Sequence, residues 1–173
     1  AGTTTCASRA RSPTATPIPT IAVAVTEKPR YGGTLRFPIT QSVDAPDPAF
    51  TIGAGTKRVL YLIYNGLVEQ TPEGTIGPDL AKSWDISGDG KVITFTLQSG
   101  VKFHDGTDLD AQAVKWNYDR FLDPKVISVR KSELAPPLEL VEVVNNTTVR
   151  FRLSEPFRPL LAALSLQAGM IAS

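Results

Sequence analysis

With 173 residues, 42% of them hydrophobic and 20% charged, the chain has enough apolar material for one globular domain with its own core. Lys and Arg number 18 against 17 Asp and Glu, a net charge of +1 with no run of like charge, which excludes an electrostatic footprint for nucleic acid. One cysteine and one histidine exclude an internal disulfide and a Cys/His zinc cluster, and no apolar stretch approaches the ~20 residues that a membrane-spanning helix needs.

Residues 1–29 carry Thr3-Thr4-Thr5 and then Ser12-Pro13-Thr14-Ala15-Thr16-Pro17-Ile18-Pro19-Thr20, a Pro/Thr-rich composition with nothing periodic to bury. Such a segment reads as an extended, disordered tether. The chain opens on Ala1 in place of Met, so further residues are expected before it. Cys6 sits where a bacterial lipoprotein carries its lipid, but Thr3, Thr4 and Thr5 lack the small and Leu residues expected before such a site. Lipid anchor and incidental thiol are both left open.

Order is expected from about residue 30. Leu35, Phe37 and Ile39 alternate with Thr34, Arg36 and Pro38 in the period-two pattern of a half-buried strand, and Pro38 places it at an edge or a strand end. Pro46 and Pro48 beside Asp44 and Asp47 mark a loop. Val59, Leu60, Ile63 and Tyr64 then give a helical stripe that ends by Asn65-Gly66.

Ile86-Ser87-Gly88-Asp89-Gly90-Lys91-Val92 turns the chain between Trp84 and the alternating Ile93, Phe95 and Leu97, which predicts a hairpin. Asp110 caps a predicted helix with Val114, Tyr118, Phe121 and Leu122 on one side, stopping at Asp123-Pro124. A second hairpin follows, with Val141, Val143 and Val144 leading to Asn145-Asn146, which tolerate positive φ, and Val149, Phe151 and Leu153 returning. A helix is expected from Phe157 to about Ser165. Antiparallel pairs dominate and no βαβ repeat is visible, which indicates an α+β (mixed α and β) fold.

Several of these elements carry a resemblance. Gly77-Pro78-Asp79-Leu80-Ala81-Lys82-Ser83-Trp84, then Asp89-Gly90, Thr94-Phe95-Thr96-Leu97 and Gly100-Val101-Lys102-Phe103-His104-Asp105-Gly106-Thr107 form a signature similar to that of the oligopeptide, dipeptide and nickel-binding receptors of ABC importers, family 5 of the extracytoplasmic solute-binding proteins. "GGTLRF" at 32–37, "DAPDP" at 44–48, "YNGLV" at 64–68, "LDP" at 122–124 and "VRFRLSEPFRPLLAAL" at 149–164 extend it over about residues 31–173. Two positions depart from the pattern. Gln98 stands where a basic residue is usual, and Asn65 where an acidic residue is common.

The resemblance implies a two-lobe class II periplasmic-binding-protein fold, of which residues 30–173 form an incomplete N-terminal lobe and about 70–165 its β-hairpin-rich subdomain. It implies a receptor that captures peptides or similar small solutes outside the cytoplasmic membrane, closes its lobes on them and docks on ABC permease subunits. The implied protein is a periplasmic or cell-surface monomer without cofactor or metal, and not an enzyme. Its second lobe lies outside this sequence, and any contact with a membrane would run only through a lipid anchor at Cys6, if Cys6 carries one.

Within that frame the ligand-facing wall is expected from Phe50, Thr51, Gly55 and Thr56, from Tyr64 and Asn65, and from Arg130, which with Lys131 follows the Asp123-Pro124 break. Each also reads as an ordinary loop, cap or surface residue. Trp84 and Trp116 read as packing residues, His104 as part of a turn, and Asp105, Asp108 and Asp110 as a turn plus a cap, since Trp116 occupies the twelfth position at which a calcium loop needs Glu. No nucleophile elbow, P-loop or His-Glu-x-x-His motif is present. The readings in competition with a receptor are a surface-anchored interaction module or degenerate fragment and, far behind, a small hydrolase.

Overall fold

The computed structural model describes residues 32–43, 46–51, 53–128, 130–134 and 137–173. The Pro/Thr-rich segment and Cys6 lie outside them. Residues 1–37 and 38–173 are two units, and the first is described only over 32–37. The strand expected over Leu35, Phe37 and Ile39 is not formed. Residues 32–39 are irregular, with Leu35 and Phe37 exposed. Alternation supplies two faces, but a strand exists only through its ladder of hydrogen bonds, and this run belongs to no sheet.

In the second unit the first helix, α1 (Ala54–Leu60), starts earlier and stops sooner than the stripe of Val59, Leu60, Ile63 and Tyr64 suggests. It buries Gly55, Thr56 and Leu60. The amides of Leu62 and Ile63 donate back three residues, to Val59 and Leu60, at 3.0 Å each, which tightens and ends the turn and leaves Leu62 exposed. A short antiparallel pair follows, β1 (Val68–Gln70) with β2 (Ile76–Pro78). Three residues each are too few for a period to show in the sequence.

The main sheet has four antiparallel strands, β3 (Ala81–Ile86), β4 (Val92–Leu97), β5 (Leu138–Asn145) and β6 (Thr148–Leu153), in the order β3-β4-β6-β5. Both expected hairpins are present. The register sets Ile93 opposite Phe151 and Phe95 opposite Val149, with Val141 on the other side of Phe151, so one face is a continuous apolar layer. On the opposite face Glu142 pairs with Arg152 at 2.9 Å, across the β5–β6 ladder. The β5–β6 turn differs from expectation, because no described non-glycine residue has positive φ. The Asn145 side chain instead accepts the Thr147 amide at 3.0 Å, closing the turn with its own oxygen.

Helix α2 (Ala111–Leu122) forms as predicted and packs on the apolar face of the sheet. Asp110 caps it by accepting the Ala113 amide at 2.8 Å, and Val114, Tyr118 and Phe121 are buried. Tyr118 meets Phe151 edge-on at 4.7 Å, and Phe151 meets Phe95 at 5.0 Å, a chain of rings through the core. After the four-residue α3 (Lys131–Leu134) and the β5–β6 hairpin, the last helix is shorter than expected, α4 (Leu160–Leu164), followed by a 3-10 turn at Gln167–Gly169. Pro159 explains the late start, since a residue before proline is driven from helical φ and ψ.

Candidate functional site

The loop at 46–51 holds two of the expected wall residues, Phe50 and Thr51, and is bonded to two more, Tyr64 and Arg130. Asp47 organises it, accepting the Ala49 amide on its side chain at 2.9 Å and the Phe50 and Thr51 amides on its carbonyl at 3.2 Å. Arg120 of α2 ion-pairs with the Asp47 carboxylate. The same guanidinium lies 5.2 Å from the Phe50 ring centre and 5.9 Å from that of Trp116, two exposed aromatics.

A second strut comes from the segment before α3. The Ser128 hydroxyl donates to the Ala49 carbonyl at 2.7 Å, and Arg130 Nη2 donates to the Thr51 carbonyl at 3.1 Å and to Gln167 Oε1 at 2.6 Å. Arg130 Nη1 pairs with Glu133 at 2.6 Å. Arg130 thus holds three segments together, and its Nε, like the Nε2 of the fully buried Gln167, lacks a partner among the described residues. Tyr61 stands near this pair. Partial burial raises its phenol above the ordinary value, against the Arg130 charge and together with that of Glu133.

Tyr64 ties the same loop from the other side, its hydroxyl donating to the Pro46 carbonyl at 3.2 Å. Asn65 is turned toward Asp79, donating to its two carboxylate oxygens at 2.9 and 3.1 Å, while the Gly66 amide donates to the second oxygen at 3.1 Å. The charge absent from position 65 is therefore present one hydrogen bond away. Tyr64 and Asn65 line two concavities, one of about 320 Å³ that also takes in Tyr61, Glu69, Asp79 and Ser165, and a smaller apolar one of about 80 Å³ that reaches Phe103 and His104.

The expected residues divide by what they display. Phe50, Tyr64 and Asn65 offer accessible atoms, while Thr51, Gly55 and Thr56 are buried, and a methyl group at Gly55 would come within 3.0 Å of the Gln41 side chain and 3.1 Å of the Ser42 carbonyl. His104 is exposed in a turn, and Asp105 spends its carboxylate on the Thr107 hydroxyl and amide, which hold its pKa below the ordinary value. Among the described residues no group of three or more His, Cys, Asp or Glu could hold a metal ion, and no helix is long and apolar enough to cross a membrane. Asp47, Arg120, Asp79 and Gln167 are the contributors that sequence reasoning missed. The Asp47–Arg120 pair spans 73 positions, and nothing local announces it.

Against known proteins, residues 75–173 match the family model described as bacterial extracellular solute-binding proteins, family 5 Middle. The chain is 39% identical over 130 residues to a probable D,D-dipeptide-binding periplasmic protein of Escherichia coli strain K12, covering 72% of this chain and 25% of that protein. In structure it is similar to the agropinic acid complex of AgaA from A. tumefaciens R10, with a TM-score of 0.71 and 33% identity over 76% of this chain and 26% of that one. It is also similar to the murein tripeptide binding protein MppA of Escherichia coli, with a TM-score of 0.72 and 26% identity over 78% of this chain and 30% of that one. The α+β architecture therefore matches part of the class II periplasmic-binding-protein fold. The chain spans about a quarter of the length of the curated relatives it matches, and those relatives are binding proteins, not enzymes. The chain belongs to the bacterial extracellular solute-binding proteins, family 5.

Proposed function

We propose that this chain supplies the first-lobe wall of a receptor that captures peptides or similar small solutes outside the cytoplasmic membrane and hands them to ABC permease subunits. The observation that supports the reading is the 46–51 loop, which is bonded to Tyr64 at Pro46 and to Arg130 at Thr51 and so ties two of the expected wall segments to the Phe50–Thr51 loop. A wall for a ligand of variable side chains needs fixed backbone and a few accessible groups, and this one has both. Arg130, Arg120 and Ser128 hold the loop by hydrogen bonds and an ion pair, and Phe50, Tyr64 and Asn65 offer accessible atoms. A second lobe would close over it, with closure driven by tighter ligand binding in the closed form. Cys6 would serve as the lipid anchor or as a bystander thiol.

Trp116, next to Arg120 and Phe50, provides the readout. In a Trp84→Phe background, where Trp116 is the remaining indole, di- and tripeptides at millimolar concentration are expected to change its emission, and Phe50→Ala to abolish the change. No response to peptides, to nickel chelates or to opines would overturn the reading.

A further inference from the structure

We propose that Asn65-Gly66 is a latent deamidation site, and that Asp79 keeps it closed in the folded chain. The inference concerns the covalent chemistry of this segment and does not depend on what the wall binds.

The sequence and the packing together create the site. In an Asn-Gly pair no side chain shields the second amide, and glycine lets the backbone turn into the attack. The glycine nitrogen attacks the asparagine Cγ and gives up its proton, the Cγ–Nδ2 bond breaks, and ammonia leaves with that proton. The five-membered imide then takes up water at either carbonyl, and aspartate or isoaspartate stands in place of asparagine. Asn-Gly occurs once in the chain, and Asn65 is exposed, so water reaches it. The glycine is also required here, because a Cβ at Gly66 would come within 3.0 Å of the Leu164 carbonyl oxygen, 3.1 Å of that of Val68 and 3.3 Å of that of Gly169.

Three features of the fold oppose the attack, and Asp79 supplies two of them. The nucleophile is tied, since the Gly66 amide donates to the Asp79 carboxylate at 3.1 Å. A carboxylate is too weak a base to remove that proton, and its charge disfavours both the deprotonated amide and the oxyanion that follows. The electrophile is tied to the same group, with Asn65 Nδ2 donating to its two oxygens at 2.9 and 3.1 Å. The backbone is the third. The Ile171 amide donates to the Asn65 carbonyl and the Leu80 amide to the Gly66 carbonyl, at 3.0 Å each, and rotation into the attack breaks these bonds. The products do not fit the same frame. Aspartate at 65 sets a second carboxylate against Asp79 in place of two donated bonds, and isoaspartate adds a backbone methylene beside a glycine already hemmed by three carbonyl oxygens.

The test is peptide mapping by mass spectrometry after incubation in mildly alkaline buffer, following conversion of the Asn65 amide to acid. The folded chain is expected to convert at least about tenfold more slowly than the same chain held in urea, the scale of one charge-assisted hydrogen bond in a rate. Asp79→Asn, nearly isosteric but uncharged, should recover much of the unprotected rate while folded. Asn117→Ala, which loosens residue 172 in the neighbouring segment without touching Asp79, should stay slow. Conversion of the folded wild type as fast as in urea would overturn the proposal, and that comparison needs no variant to fold. An Asp79→Asn rate equal to that of the wild type, or an Asn117→Ala rate equal to that of Asp79→Asn, would overturn the role of Asp79.

Discussion

Tyr118 brings a ring and a hydroxyl to one buried spot. The ring packs against Phe151 and Phe121, whereas the hydroxyl has no partner among the described residues. An unsatisfied buried hydroxyl costs stability that a phenylalanine would not, so Tyr118→Phe should leave the fold unchanged or raise its stability by about 1 kcal/mol in chemical denaturation. Burial also raises the Tyr118 phenol well above its ordinary 10.0. The folded pKa exceeds the unfolded one, so the stability tied to the neutral phenol is complete below pH 10 and declines as the pH climbs past that value, because only the unfolded chain gives up the proton. Followed by phenolate absorbance, one tyrosine should ionise only together with alkaline unfolding, and Tyr118→Phe should remove that step. Arg130 is the opposite case, a polar group used at almost every atom. Its replacement by Ala removes the partner of Glu133 and of the buried Gln167 Oε1 and one bond to the Thr51 carbonyl, and a loss of about 3 kcal/mol is expected.

At the scale of elements, the close of the chain depends on two residues. Gly169 follows α4 so tightly that a Cβ would sit 1.7 Å from the Leu164 carbonyl oxygen, a backbone atom that cannot step aside. Gly169→Ala should therefore displace the 3-10 turn and lower the thermal midpoint by several degrees, in contrast to Gly88→Ala, where a Cβ meets nothing. Asn117 of α2 donates to the Ala172 carbonyl at 2.7 Å and accepts the Ala172 amide at 3.1 Å, the two bonds that a neighbouring strand would make. On the far side of this segment the Ile171 amide donates to the Asn65 carbonyl at 3.0 Å. Asn117→Ala should speed hydrogen exchange at Ala172 with little change at Phe95, in the centre of the sheet. The sequence showed what periodicity and turn chemistry can reveal. Both hairpins, α2 and its Asp110 cap were legible because each is written in consecutive residues. The Leu35–Ile39 strand failed because pairing is a property of two segments, and β1 and β2 escaped because they are too short to show a period. The site divides along the same line. Phe50, Tyr64, Asn65 and Arg130 were expected from the resemblance, while Asp47, Arg120, Asp79 and Gln167 bond to partners remote in sequence.

Taken as a whole molecule, the chain combines a well-built sheet with apolar groups left in water. Leu62 is 80% exposed and Ile127 86%, with Phe50 and Trp116 half exposed beside Arg120. Such surface should bind an apolar dye, so ANS emission is expected to rise with the folded protein, and an unchanged spectrum would contradict it. The strand order has a consequence in time. Because β4 is flanked by β3 and by β6, the sheet cannot be closed when its first hairpin is complete. One edge of β4 waits for a partner that ends at Leu153, some 56 residues after Leu97 (153 − 97). At ribosomal speeds of about 5–20 residues per second that wait is roughly 3–11 seconds, during which Ile93, Phe95 and Leu97 are made but not yet covered. A cell that exports this protein unfolded has that interval in which to engage it, before β6 arrives and the core seals.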